Sequence, residues 1–178
     1  MKYRYSIALF FVGFILQSTV LNHFAILGVS PNIILCLVVI FSFLYEGNHG
    51  LILGPVFGMI NDICFAEIIG VSALSYFLVA LLCLELKRYL YKDSWVSMMI
   101  VSSAGTVCFG LLYWGTTRIL GNGVHFLYVL KLHGILLAYN VMVTIIMYHF
   151  MSRRVIKHRS DRYMYRGNLQ EARSLYRS

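Results

Sequence analysis

The chain has 178 residues, of which 60% are hydrophobic and only 12% are charged, and its mean hydropathy is +0.75. Soluble domains contain roughly 45–50% apolar and about 25% charged residues, so this composition excludes an ordinary soluble domain and predicts a membrane protein. The net charge of +8 comes from basic residues at the chain ends and between apolar runs, which is not the pattern of a nucleic-acid-binding surface.

Apolar runs separated by polar breaks predict a polytopic, all-α protein with six transmembrane helices. In chain order the predicted helices are Tyr5–Leu27, Pro31–Tyr45, Gly50–Ala66, Gly70–Leu86, Trp95–Ile119 and Phe126–Met151. Ser30 and Pro31 are predicted as the N-cap and first-turn residue of the second helix. The chain therefore divides into a transmembrane domain, residues 1–151, and a basic tail, residues 152–178.

The second, third and fourth predicted helices are short. At about 1.5 Å per residue they cover roughly 22–26 Å, less than the bilayer core of about 30 Å. Three explanations remain open: longer neighbours shield these helices, the bilayer thins locally, or one segment turns back within the membrane.

The basic residues predict the orientation of the chain. With both termini in the cytoplasm, thirteen of the fifteen Lys and Arg residues lie on the cytoplasmic side. The tail begins with a basic cluster formed by Arg153, Arg154, Lys157 and Arg159. This cluster is predicted either to fix the topology by lying on anionic lipid headgroups or to dock a cytoplasmic partner.

A glycine repeat in the third predicted helix leads to a carboxylate. Gly50, Gly54, Gly58 and Asp62 follow one another at four-residue spacing, so they share one face of a helix. Glycines on such a face allow another backbone to approach closely, and an ionisable group at this depth is expected to face protein or water. The helix that packs on this face belongs either to a partner protein or to the same chain.

The environment of Asp62 is also left open by the sequence. Its carboxylate is predicted to accept hydrogen bonds from a nearby backbone terminus, from Arg118 or Lys131, or from a tyrosine. Alternatively, it lies hydrated at the outer interface of the bilayer.

The sequence shows no catalytic constellation, no cofactor-binding motif and no metal-ligand spacing among its histidines and cysteines, so an enzyme is not expected. A second interpretation is a substrate-binding subunit with an outward-facing pocket. The residues predicted to line that pocket are Asn61, Glu67, Trp114 and Arg118, with Asn122 and His125 nearby.

The stretch from Gly50 to Leu82 resembles the central signature of the MreD family, the rod shape-determining membrane proteins of bacteria. The matching residues are Gly54, Gly58, Asp62 and Gly70, and Pro31-Asn32 at the start of an apolar helix also fits the family pattern. The extended basic tail is less typical of the family.

This resemblance implies a fold similar to the six-helix substrate-binding subunits of energy-coupling-factor transporters. It also implies a non-enzymatic role in the machinery that builds the lateral cell wall. Partners expected from the resemblance are MreC, a single-span protein, and also MreB, RodA and a class B penicillin-binding protein. The shared architecture keeps a vitamin-binding transporter subunit as the alternative.

Overall fold

The computed structural model describes residues 3–19, 29–45, 47–66, 68–91, 94–119 and 129–151. The regular elements within these ranges are helices, which confirms the all-α expectation. They are α1 (Tyr3–Thr19), α2 (Ile33–Leu44), α3 (His49–Phe65), α4 (Val71–Tyr89), α5 (Trp95–Ile119) and α6 (Val129–Met151). The predicted tail, residues 152–178, lies outside the described residues.

The start of the second helix differs from the prediction. Ser30 and Pro31 precede the helix, and Asn32 is its N-cap, because the Asn32 side chain accepts a hydrogen bond from the backbone nitrogen of Leu35 at 2.9 Å. An asparagine side chain reaches the free N–H groups of a first turn as well as a serine does, so the sequence pattern could not choose between them.

Two helices are long and apolar enough to cross a bilayer, judged by length and composition. They cover Trp95–Thr116 and Val129–Met151, whereas α2 and α3 are shorter apolar helices. The length and composition of these two helices are consistent with a membrane protein. How the shorter helices fit into a bilayer depends on the helices that surround them.

The short helix α2 lies at the centre of the described fold. Every residue from Ile33 to Leu44 is buried, and α1, α3, α4 and α5 all pack against it. A helix that is apolar on all sides is typical of a buried core position or of a membrane span. Of the three expected ways to accommodate a short helix, shielding by longer neighbours is the one that agrees with this burial of α2.

Side chains from other helices satisfy the start of α2. Gln17 of α1 accepts a hydrogen bond from the backbone nitrogen of Ile34 at 3.1 Å, and Asn140 of α6 accepts one from the backbone nitrogen of Asn32 at 2.9 Å. The first N–H groups of any helix lack partners within the helix. The side chains of Gln17 and Asn140 provide hydrogen-bond acceptors for two of these N–H groups. The same bonds connect α1 and α6 to the central helix.

A lysine satisfies the other end of α2. The ammonium group of Lys87, near the end of α4, donates hydrogen bonds to the carbonyl oxygens of Ser42, at 3.2 Å, and Tyr45. A cation near the C-terminus of a helix is also favoured by the helix dipole. Both ends of α2 are therefore fixed by its neighbours.

The helices α5 and α6 meet along a polar seam. Ser102 donates a hydrogen bond to Thr144 at 3.0 Å, and the amide nitrogen of Asn140 lies 3.4 Å from the hydroxyl of Thr106. All four side chains are buried. Hydrogen bonds of this kind hold helices together where no hydrophobic effect drives their association.

Candidate functional site: the junction of α3 and α4

The glycine repeat and Asp62 lie on one buried face of α3. Gly50, Gly54, Gly58 and Asp62 are all buried, whereas Val56, Met59 and Ile63 on the opposite face are exposed. The observed arrangement is the common face that the four-residue spacing predicts.

Helices of the same chain pack on this face. A Cβ atom added to Gly58 would lie 2.7 Å from the Cα atom and 2.9 Å from the backbone nitrogen of Ala73, and at Gly50 it would lie 2.9 Å from the carbonyl oxygen of Val38. Real Cβ atoms do not come this close to backbone atoms, so the glycines are what allow α4 and α2 to approach α3. The packing partner that the sequence left open is, along this face, internal.

Asp62 caps the start of α4 from the end of α3. Its Oδ2 atom accepts hydrogen bonds from the backbone nitrogens of Gly70 at 2.9 Å, Ser72 at 2.8 Å and Ala73 at 3.4 Å. The N-cap residue of α4 is Gly70, which has no side chain to perform this role. A carboxylate from the preceding helix therefore replaces the missing cap.

The electrostatics of this arrangement explain how a carboxylate can be buried. Asp62 is 0% exposed, and the positive end of the α4 dipole together with three N–H donors stabilises its negative charge. Among the expected partners of Asp62 the backbone terminus is the one observed. The alternative of a carboxylate exposed to bulk water at the outer interface is wrong, because no part of the residue reaches the protein surface.

Gly70 makes the sharp turn between the two helices. Its φ angle is +100°, in the left-handed region, while a Cβ added there would meet nothing within 4 Å. The glycine is thus required by backbone conformation and not by lack of space. This conformation directs the backbone N–H groups of Gly70 and Ser72 toward the carboxylate.

Tyr76, one turn further along α4, connects the junction to the central helix. Its hydroxyl lies 2.8 Å from the side-chain nitrogen and 3.0 Å from the side-chain oxygen of Asn32, and its ring stacks on Phe109 of α5 at a centroid distance of 5.3 Å. The start of α4 is therefore attached to α3, α2 and α5 at once.

Sequence reasoning missed the polar residues that assemble this interior. They are Gln17, Asn32, Tyr76, Lys87 and Asn140. A usable signal was present for Gln17 and Asn140, since each is an amide side chain inside an otherwise apolar run and would have needed a partner there.

Of the residues predicted to line an outward-facing pocket, the structure describes Asn61, Trp114 and Arg118. Asn61 is partly buried on α3, Trp114 is partly buried on α5, and Arg118 is exposed near the end of α5. Over their described lengths α3 and α5 make no direct packing contact, and each packs against α4. Glu67, Asn122 and His125 lie outside the described residues, as does the basic cluster of Arg153, Arg154, Lys157 and Arg159.

The chemistry that the structure shows at the junction is hydrogen-bond capping. Asp62 is a hydrogen-bond acceptor enclosed by backbone N–H groups, with no nucleophile or second acid in a described contact with it. Within the described ranges, no group of three His, Cys, Asp or Glu side chains is placed to hold a metal ion. The arrangement can hold two helices in one fixed orientation.

Comparison with known proteins points to one family. The family model described as rod shape-determining protein MreD matches residues 2–155, which includes all six described helices. No curated protein and no solved structure matches the chain.

Proposed function

This chain belongs to the MreD family of rod shape-determining proteins, and we propose that it is a non-enzymatic scaffold in the membrane for the bacterial cell-elongation machinery. A role in rod-shape determination follows from the family itself. The finer role, support of lateral peptidoglycan synthesis through binding of MreC, is the proposal, and the family match over residues 2–155 is the observation that carries it.

The described fold supports a scaffold within the bilayer. Its hydrogen-bonding side chains, such as Asp62, Asn140 and Thr144, are buried and bind one another or helix ends, while the exposed side chains of the helices are mostly apolar. Lipid requires polar groups to be satisfied inside the protein, and this distribution meets that requirement. A rigid body with an apolar outer surface is suited to positioning other membrane proteins.

We place both termini in the cytoplasm. Tyr3, Tyr45, His49 and Lys87 gather at one end of the helices, through the stacking of Tyr3 on His49 and the hydrogen bond from Lys87 to Tyr45. We name this the proximal end. It contains Lys87 and Arg88 in the last turn of α4, and basic residues favour the cytoplasmic side. The tail then follows α6 on the same side, where it can lie on anionic headgroups.

Partner binding requires a surface other than the glycine face, which α2 and α4 already fill. The single transmembrane helix of MreC can meet this protein only along outward-facing residues. The helices α1 and α6 offer such faces: Phe11 on α1 is 56% exposed and Met142 on α6 is 53% exposed. MreB, RodA and the class B penicillin-binding protein would then act in the same assembly.

Site-specific photo-crosslinking tests this proposal. A photoreactive amino acid is placed in the full chain, expressed with MreC, at one outward position on each helix except the buried α2: Phe11, Ile60, Leu81, Leu111 and Met142. We expect crosslinks to MreC from one or two adjacent faces and none from the remaining positions, which serve as matched controls. If no position crosslinks and MreC does not co-purify, the scaffold acts without binding MreC.

A further inference from the structure

The two carboxylate oxygens of Asp62 have very different surroundings. Oδ2 accepts three backbone hydrogen bonds, whereas Oδ1 is buried and has no hydrogen-bond partner among the described residues. Buried polar atoms in folded proteins are nearly always paired, either with protein or with an ordered water molecule. The capping role of Asp62 accounts for one oxygen and leaves the other to be explained.

Neither protonation state of Asp62 removes this requirement. An ionised carboxylate needs a hydrogen-bond donor at Oδ1, and a carboxylic acid protonated on Oδ1 needs an acceptor there. A metal or ammonium cation is disfavoured at this place, because the backbone N–H groups of Gly70, Ser72 and Ala73 and the positive end of α4 already surround the carboxylate. A water molecule can both donate and accept, so it satisfies Oδ1 in either state.

We infer that Oδ1 of Asp62 binds one ordered water molecule inside the junction of α3 and α4. The water completes the coordination of the only carboxylate that the described residues bury fully. An ordered internal water satisfies a polar atom that the chain leaves unpaired, and it persists because its removal would leave that hydrogen bond unmet.

A density map of the full chain in lipid nanodiscs, at a resolution better than about 2.2 Å, tests the inference. We expect a water peak about 2.6–3.2 Å from Oδ1 in the wild-type protein. A map in which Oδ1 has no neighbouring peak, or in which a backbone or side-chain donor of the protein occupies that position, overturns the inference.

Two variants separate water binding by Asp62 from a water that merely fills space. Asp62→Asn keeps an acceptor for the three N–H groups and places an amide NH₂ where Oδ1 lies, so the peak is expected to remain. Asp62→Val has nearly the same volume without polar atoms, and the peak is expected to disappear. A peak that remains in the valine variant contradicts the inference, and if that variant cannot be purified, the wild-type and asparagine maps decide.

Discussion

The Oδ2 atom of Asp62 lies 2.8 Å from the backbone nitrogen of Ser72, so a carboxylate near the end of α3 caps the first turn of α4. The two helices are also in backbone contact one turn earlier, where Gly58 meets Ala73. The hydrogen-bonded cap and the close backbone contact both join α3 to α4. Together they fix the orientation of α4 relative to α3.

Replacing Asp62 by alanine should destabilise the protein strongly. The change removes three hydrogen bonds and leaves the N–H groups at the start of α4 buried without acceptors, a loss of about 2–4 kcal/mol for charged caps in the interior. Asp62→Asn is the matched control, because it keeps an acceptor oxygen and loses only the charge. We expect a lower apparent melting temperature and loss of rod shape for alanine, with a smaller effect for asparagine. Equal effects of the two changes would show that the charge, and not the hydrogen bonding, is what matters.

A methyl group added at Gly58 should lower the stability of the protein, whereas one added at Gly115 should be tolerated. A Cβ at Gly58 would lie 2.7 Å from the Cα atom of Ala73, so Gly58→Ala forces α3 and α4 apart, at roughly 1–3 kcal/mol. Gly115 has no atom within 4 Å of the same position, and there alanine gains up to about 1 kcal/mol of helix propensity. The melting temperatures of the two purified variants give the comparison. A Gly58→Ala protein as stable as Gly115→Ala would mean that α4 does not approach α3 this closely.

Removing the ammonium group of Lys87 should destabilise the protein more than removing the charge of its neighbour Arg88. Lys87→Met leaves the last carbonyl oxygens of α2 without their donor, and we expect a loss of about 1–2 kcal/mol. Arg88 forms an exposed ion pair with Glu85 at 3.3 Å, and pairs of this type contribute about 0–1 kcal/mol. Arg88→Met is thus the matched control. If both variants melt at the same temperature, the carbonyl oxygens at the end of α2 have another donor.

The apolar helices and the face that carries the glycines could be predicted from the sequence. The helices follow from continuous apolar runs, and the shared face follows from the four-residue spacing within one segment. The sequence also placed Asp62 on the same face as the glycines but left open whether its carboxylate is buried or hydrated. It could not identify the cap on α4 as the role of Asp62, since that depends on the turn at Gly70 folding the chain back onto α3.

The ends of α2 show the same limit more clearly. Gln17, Lys87 and Asn140 come from three other helices, and only the three-dimensional packing brings them to α2. Sequence patterns identify caps within about four residues of a helix end, so caps supplied from distant segments escape them. The prediction of a pocket around Asn61 and Trp114 was likewise based on their expected position on the same side of the membrane. It did not use any contact between helices.

The side chain of Asn140 links α6 to the start of the central helix, and Thr144 of α6 forms a second link through its hydrogen bond with Cys36. The side-chain oxygen of Asn140 accepts from the backbone nitrogen of Asn32 at 2.9 Å, and its backbone oxygen lies 3.5 Å from the sulfur of Cys36. Asn140→Leu should leave the partly buried Asn32 N–H without its acceptor and weaken the attachment of α6. We expect a loss of about 1–3 kcal/mol.

A matched substitution on the outward side of α6 distinguishes this effect from a general sensitivity of the helix. Met142→Leu changes a side chain that is 53% exposed and should leave the melting temperature nearly unchanged. Cysteine accessibility adds a local readout: Cys36 is buried beneath Asn140, so Asn140→Leu should raise its rate of alkylation by a small thiol reagent, while Met142→Leu should not. Because the protein has four cysteines, the rate is measured at Cys36 by mass spectrometry of the digested protein. An unchanged rate in Asn140→Leu would mean that α6 stays attached without this hydrogen bond, and that the seam with α5 through Ser102 and Thr144 is enough to hold it.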